Sequence, residues 1–279
     1  MPKFLKLDKV TGPYFDDESH VRSLSIKPEL VENNWKNYPE RFKDNMLEYQ
    51  NWFDACDSIR SCIAKGEIDF HNRILTGDLY KKLGDPREKS ALDIGFGGGR
   101  LMLAASRVFK EVSGIDILSD EARSMTRKFL DQNCESKYQL FNPDTMAEID
   151  NESIDFVYSF IVFQHFSSIE YFYKYFSQIK RIIKPDGVGV IFFGLVGDSC
   201  NPDIKNIIQK DGFFHWHEAF SDGSRGSTLY YDPAWVKKQI EDVYNMSIIS
   251  MSRFSKQPWS DMKELSSQFC VSFINNRNL

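Results

Sequence analysis

Between residues 90 and 195, short apolar runs alternate with longer segments whose apolar residues recur every three or four positions. Residues 90–94, 112–116, 138–141, 154–160 and 188–195 are short, β-prone and bounded by turn residues, which predicts strands. Residues 100–108 and 120–133 carry the helical period, the second with Ala122, Met125 and Phe129 inward. So does the segment holding Ile169, Phe172, Phe176, Ile179 and Ile183; Ser167-Ser-Ile-Glu170 reads as its capping box and Lys184-Pro-Asp-Gly187 as its stop. Asp232-Pro233 suits the N-cap and first turn of a helix over 234–244, and two further strands follow at 246–254 and 268–274. Strands alternating with helices predict an α/β fold with a doubly wound, mostly parallel sheet.

The first 87 residues follow a different rhythm. Residues 1–34 are polar and interrupted at Gly12-Pro13 and Lys27-Pro28. A helix is expected over 39–63, with Phe42, Met46, Tyr49, Trp52 and Phe53 on one side, and another over 68–83, with Phe70, Ile74 and Leu83 inward before Gly84-Asp-Pro86. This divides the chain into an N-terminal arm and helical extension, 1–87, and a main domain, 88–279, with an insertion at 197–231.

Composition narrows the function classes. A 279-residue chain buries about three quarters of its unfolded surface and needs no disulfides. Its five cysteines are odd in number and lack any zinc-like spacing, so a reduced, cytoplasmic setting and no metal are expected. No apolar run approaches the length of a membrane span, and the N-terminus lacks a signal-peptide core. The net charge is −5 with both signs interspersed. No basic face is visible, which argues against a nucleic-acid partner.

The segment Ala91-Leu-Asp-Ile-Gly-Phe-Gly-Gly-Gly-Arg100 is an apolar strand leading through a glycine-rich turn into a helix. Glycines allow sharp turns and close backbone approach, and a helix N-terminus offers free N–H groups, so this is a nucleotide or nucleoside pocket. The dinucleotide fingerprint G-x-G-x-x-G fails, because its third glycine falls on Arg100. The remaining pattern, Asp93-x-Gly95-x-Gly97-x-Gly99, with Asp116 ending the next strand, resembles motif I and its successor in the class I S-adenosylmethionine (SAM) dependent methyltransferases. The resemblance covers residues 88–276 and implies a seven-stranded sheet with an antiparallel last strand, plus the N-terminal helical extension.

The resemblance also implies roles. Asp93, Gly95, Phe96, Gly97 and Gly99 would cradle SAM. Asp116, whose carboxylate can accept both ribose hydroxyls, would hold the sugar, and Ile117 would pack on adenine. Asn142 or Asp144 would bond the adenine amino group, against the alternative of a plain Asn-Pro turn. The backbone at Ser159 and Phe160 would face the methionine end.

The acceptor end rests on the residues themselves. His165 follows the fourth strand at the expected mouth of the pocket, where a neutral imidazole can take a proton from a hydroxyl; the alternative is a histidine that fixes the loop. In the insertion, His215, His217, Arg225 and Tyr230 are candidate substrate contacts, Arg225 suiting an anionic group. The expected function is methyl transfer from SAM to a small-molecule or carbohydrate-like acceptor, on oxygen. The alternatives are an N- or protein methyltransferase, and a non-catalytic SAM-binding domain.

Overall fold

The structure, a computed structural model, describes residues 20–22, 28–196, 202–220, 225–255 and 265–276. In chain order its elements are β1 (His20–Arg22), α1 (Pro28–Asn37), α2 (Met46–Asp54), α3 (Ile59–Asp69), α4 (Gly77–Leu83), β2 (Ser90–Ile94), α5 (Arg100–Ser106), β3 (Glu111–Ile115), α6 (Asp120–Asn133) and β4 (Lys137–Phe141). Then come β5 (Ile154–Ser159), α7 (Glu170–Ile182), β6 (Ile183–Gly194), α8 (Pro202–Asp211), β7 (Phe213–Phe220), β8 (Arg225–Tyr231), α9 (Pro233–Lys238), β9 (Met246–Ser255) and β10 (Leu265–Asn275).

Seven strands run in the order β4-β3-β2-β5-β6-β10-β9. All neighbours from β4 to β6 are parallel, whereas β10 is antiparallel to both β6 and β9. Side chains alternate between the two faces with the period of two that a strand imposes. Ala91, Phe156, Tyr158, Val190 and Phe192 enter one apolar cluster with α5, α6 and the N-terminal helices. Leu92, Val157, Ile191 and Phe193 enter the other, with α7 and α9. Two covered faces explain why the central strands read as nearly continuous apolar runs.

The sheet continues past the seven strands. The carboxyl end of β6, at Gly194, pairs with Tyr230 of β8; β7 lies antiparallel to β8 and β1 antiparallel to β7. Among its described residues the insertion is therefore a helix and an antiparallel strand pair.

Three local expectations need correction. The helical stretch over 39–63 is broken twice: Asn45 caps α2, its side chain accepting from Glu48 N, and Ala55 ends α2 in the left-handed region at φ 49°. Ser58 then opens α3 through a reciprocal capping box with Ser61. The stretch over 68–83 is likewise two pieces, because α3 ends in a wide π-turn over Phe70–Ile74 before α4 begins. Finally, Ser167-Ser-Ile-Glu170 makes no capping box. Helix α7 starts at Glu170 without a side-chain cap, and Ser167 Oγ donates instead to Glu32 of α1. A long-range partner has outcompeted the local one.

Candidate functional site

The turn between β2 and α5 bounds a cleft of about 600 Å³ at the carboxyl edge of the sheet. The turn is tight enough to require glycine. Gly95 has φ 82°, and a Cβ there would overlap Val162; Gly97 has φ 48°, and a Cβ there would sit 2.8 Å from the Phe53 ring. Gly95, Phe96 and Gly97 line the cleft, while Gly99 closes the turn as N-cap of α5.

Asp116, just beyond β3, reaches the same turn. Its Oδ2 accepts from Gly97 N at 2.8 Å and its Oδ1 from Leu118 N at 3.2 Å. Burial pushes its carboxyl up to about 6, the N–H donors of Gly97 and Leu118 only partly opposing this. Ile117, Leu118 and Pro143 line the cleft beside it. Asp93 behaves differently. It is buried in β2, in register with Tyr158 of β5, and neither carboxylate oxygen has a hydrogen-bond partner. Burial first, and the nearby Asp116 second, raise its carboxyl well above the carboxylate range.

The N-terminal helices form a roof over the cleft. Glu32 and Trp35 of α1, Trp52, Phe53 and Asp54 of α2, and Lys65 and Asp69 of α3 all line it. The roof is tied to the glycine turn by polar contacts: Gln50 Nε2 donates to Gly98 O at 2.7 Å, and Thr126 Oγ1, 2.8 Å from the Tyr49 hydroxyl, donates to Gly97 O at 2.7 Å. Nothing in the local pattern of residues 45–70 announced these partners.

The turn leaves room where any side chain would intrude, and Asp116, Ile117 and Pro143 line the cleft beside it. The comparisons with known proteins agree with the fold. Residues 92–191 match the family model described as a methyltransferase domain. The match to the methyltransferase family model thus runs along the parallel part of the sheet, from β2 into β6. The Saccharomyces cerevisiae protein named "probable S-adenosylmethionine-dependent methyltransferase CRG1" is 25% identical over 159 residues, 55% of this chain and 53% of that relative, so the match spans about half of its length. A SAM-dependent methyltransferase from Methanosarcina mazei has a similar fold, with TM-score 0.54 and 16% identity over 72% of this chain and 98% of that one. The Burkholderia thailandensis 1,6-didemethyltoxoflavin-N1-methyltransferase, solved with its acceptor and S-adenosylhomocysteine, aligns at TM-score 0.52 and 12% identity over 95% of this chain and 100% of its own.

Within the matched region, the mouth of the cleft is set by the chain leaving β5. Ser159 is buried and donates to Ile94 O at 2.8 Å, so it holds β5 to β2 rather than lining the cleft, whereas Phe160 does line it. Ile161 has φ 62°, a conformation costly for a β-branched residue, and it too faces the cleft. His165 ends the short 3₁₀ turn that follows. Its Nε2 lies 3.1 Å from Gln164 Nε2, so the ring nitrogen accepts, and Gln164 Oε1 in turn accepts from Gln268 Nε2 at 2.8 Å. The Trp35 ring lies tilted against the imidazole, centroids 4.9 Å apart, and itself meets Trp52 edge-on at 5.3 Å.

The other expected residues lie elsewhere. Asn142 Oδ1 accepts from the N–H groups of Asp144 and Thr145, both at 2.9 Å, which is the Asx turn its Asn-Pro sequence favours; Pro143, not Asn142 or Asp144, lines the cleft. His215 on β7 donates from Nε2 to Phe166 O at 2.8 Å and is not among the cleft-lining residues. Tyr230 is half-buried in β8, opposite Phe214. The side chains of His217 and Arg225 lie outside the described residues. The insertion thus braces the loop after β5, while Trp35, Trp52, Tyr171 and Tyr175 supply aromatic wall that the sequence reading did not assign. Among the described residues no helix is long and apolar enough to cross a membrane.

Proposed function

We propose that the chain is an active SAM-dependent methyltransferase for a small-molecule or carbohydrate-like acceptor, with oxygen as the receiving atom. The observation that carries this reading is the place of His165, an imidazole at the mouth of a roofed, aromatic-walled cleft. SAM, when bound, supplies an electrophilic methyl group. The protein's part is to orient and to exclude water. Gly95 to Gly97 give the cofactor close backbone approach, Asp116 accepts the ribose hydroxyls, and Ile117 and Pro143 sandwich the base. Phe160 and the strained Ile161 bound the reacting end, and His165 takes the proton from an acceptor hydroxyl. The lining mixes Lys65, Arg73 and Arg100 with Glu32, Asp54, Asp69 and Asp116, so among the described residues it forms no continuous basic track for a phosphate backbone. Free thiols at Cys56, Cys62, Cys134 and Cys270 suit a cytoplasmic setting.

A second reading, transfer to nitrogen, has one observation in its favour: the His165 Nε2 lone pair already accepts from Gln164. An amine acceptor attacks through its own lone pair and needs only positioning. One experiment separates the two. After a screen of hydroxyl and amine acceptors with SAM, His165→Ala lowers kcat on a hydroxyl acceptor by about 10²-fold or more and leaves S-adenosylhomocysteine affinity within about twofold. Unchanged kcat removes the base and leaves positioning. A chain whose melting temperature does not move with S-adenosylhomocysteine refutes both readings.

A further inference from the structure

Arg100 stands where a dinucleotide fold has its third glycine, and it is almost fully buried. Its Nε pairs with Asp54, its Nη1 lies 2.8 Å from Asp69 Oδ2, and its Nη1 also lies 3.4 Å from Lys65 O. Arg73 pairs with the same Asp69 at 3.4 Å, and Lys65 donates to the Asp54 carbonyl. The Arg100 and Arg73 guanidinium carbons lie 5.7 and 5.9 Å from the centroid of the Phe160 ring. All of these residues line the cleft.

The cluster defies local preference. Arg100 is the first residue of α5, where the helix dipole disfavours a cation, and Asp54 is the last residue of α2, where it disfavours an anion. Buried ion clusters rarely add net stability over apolar packing, but breaking one is costly, so they fix geometry more than they strengthen a fold. What this cluster fixes is the roof. Asp54 ends α2 and Asp69 ends α3, and both helices are held to the residue that follows the glycine turn. At the same crossing, a Cβ on Gly66 of α3 would stand 2.6 Å from Arg100 O, so the two backbones are already in close contact.

We propose that Arg100 is a positioning residue for the cofactor: through Asp54 and Asp69 it keeps α2 and α3 seated over the glycine turn, so that the cleft is preformed for SAM. The inference rests on the cofactor reading above. Without the clamp the roof is seated for only part of the time, and the apparent affinity falls by that fraction.

The test measures S-adenosylhomocysteine binding by calorimetry to the wild type, Arg100→Lys and Arg100→Met, with circular dichroism and melting curves to establish that each is folded. Arg100→Met is expected to bind at least about tenfold more weakly, within the usual range of coupling between a ligand and a conformational change. Arg100→Lys, which keeps one charge between the two carboxylates, is expected to recover most of that loss. A purely structural role lowers the melting temperature and leaves the affinity of the folded protein unchanged; folded Arg100→Met that binds like wild type overturns the proposal. If Arg100→Met does not fold, Asp54→Asn, which leaves Arg100 paired with Asp69, carries the comparison: weaker binding supports the clamp and wild-type affinity overturns it. A wild-type chain that does not bind S-adenosylhomocysteine overturns the cofactor reading, and the clamp with it.

Discussion

Lowering the pH should weaken cofactor binding through Asp116. Ribose hydroxyls need an ionised carboxylate to accept both of them, yet burial lifts this group from the ordinary 3.8 to about 6. With that value, about 97% of the empty sites are ionised at pH 7.5 and about 10% at pH 5, so the dissociation constant for S-adenosylhomocysteine should rise about tenfold, or ~1.4 kcal/mol. The sign for stability runs the opposite way. The folded, empty cleft holds this proton more tightly than the unfolded chain does. Its contribution therefore declines as pH rises from the unfolded value through 6, reaching a deficit of about 3 kcal/mol for the charged form. Titration calorimetry from pH 5 to 8 reads the affinity directly. Asp116→Asn should flatten the profile and also weaken binding at pH 7.5, since the single amide oxygen can serve only one of the Gly97 and Leu118 N–H groups. A wild-type constant that does not vary between pH 5 and 7.5, or an unaltered slope in Asp116→Asn, refutes the reasoning.

Gly97→Ala should fold with a small loss of stability and bind S-adenosylhomocysteine at least about tenfold more weakly, because its φ of 48° and the Phe53 ring at 2.8 Å force either turn or roof to move; calorimetry on the folded variant checks this. Phe156→Ala should cost about 3–5 kcal/mol in urea unfolding, since the ring is fully buried and stacks on Phe109 at 5.5 Å with planes 3° apart. A loss below about 1 kcal/mol there would show that the cluster relaxes to fill the void.

The sheet was legible because its signals are local. Short, apolar, β-prone runs at residues 90–94, 154–160 and 188–195, and the glycines after Asp93, report backbone conformation within a few residues. The roof was not legible, because what seats it is distant in the chain. Tyr49 reads as part of one more helical face, and only its contact with Ala122, and that of the neighbouring Gln50 with Gly98, reveal what the helix covers. The same cause undid the capping box at Ser167, whose hydroxyl is used by Glu32 from the far end of the chain. Arg100 is the instructive middle case. Its position excluded one cofactor class by sequence alone, but its meaning depends on Asp54 and Asp69, which no spacing rule connects to it.

The docking of α2 also bears on how the chain is made. The Tyr49 ring is fully buried and its hydroxyl donates to Ala122 O, 73 residues further on. During synthesis the helix leaves the ribosome long before the strand–helix units it must cover, and a nine-residue helix is marginal by itself. Its Tyr49 hydroxyl lacks both of its partners until residues through Thr126 have emerged. Seating of α2 on the sheet is therefore a late event, and a nascent chain halted before that point exposes Tyr49 to whatever holds unfinished polypeptides apart.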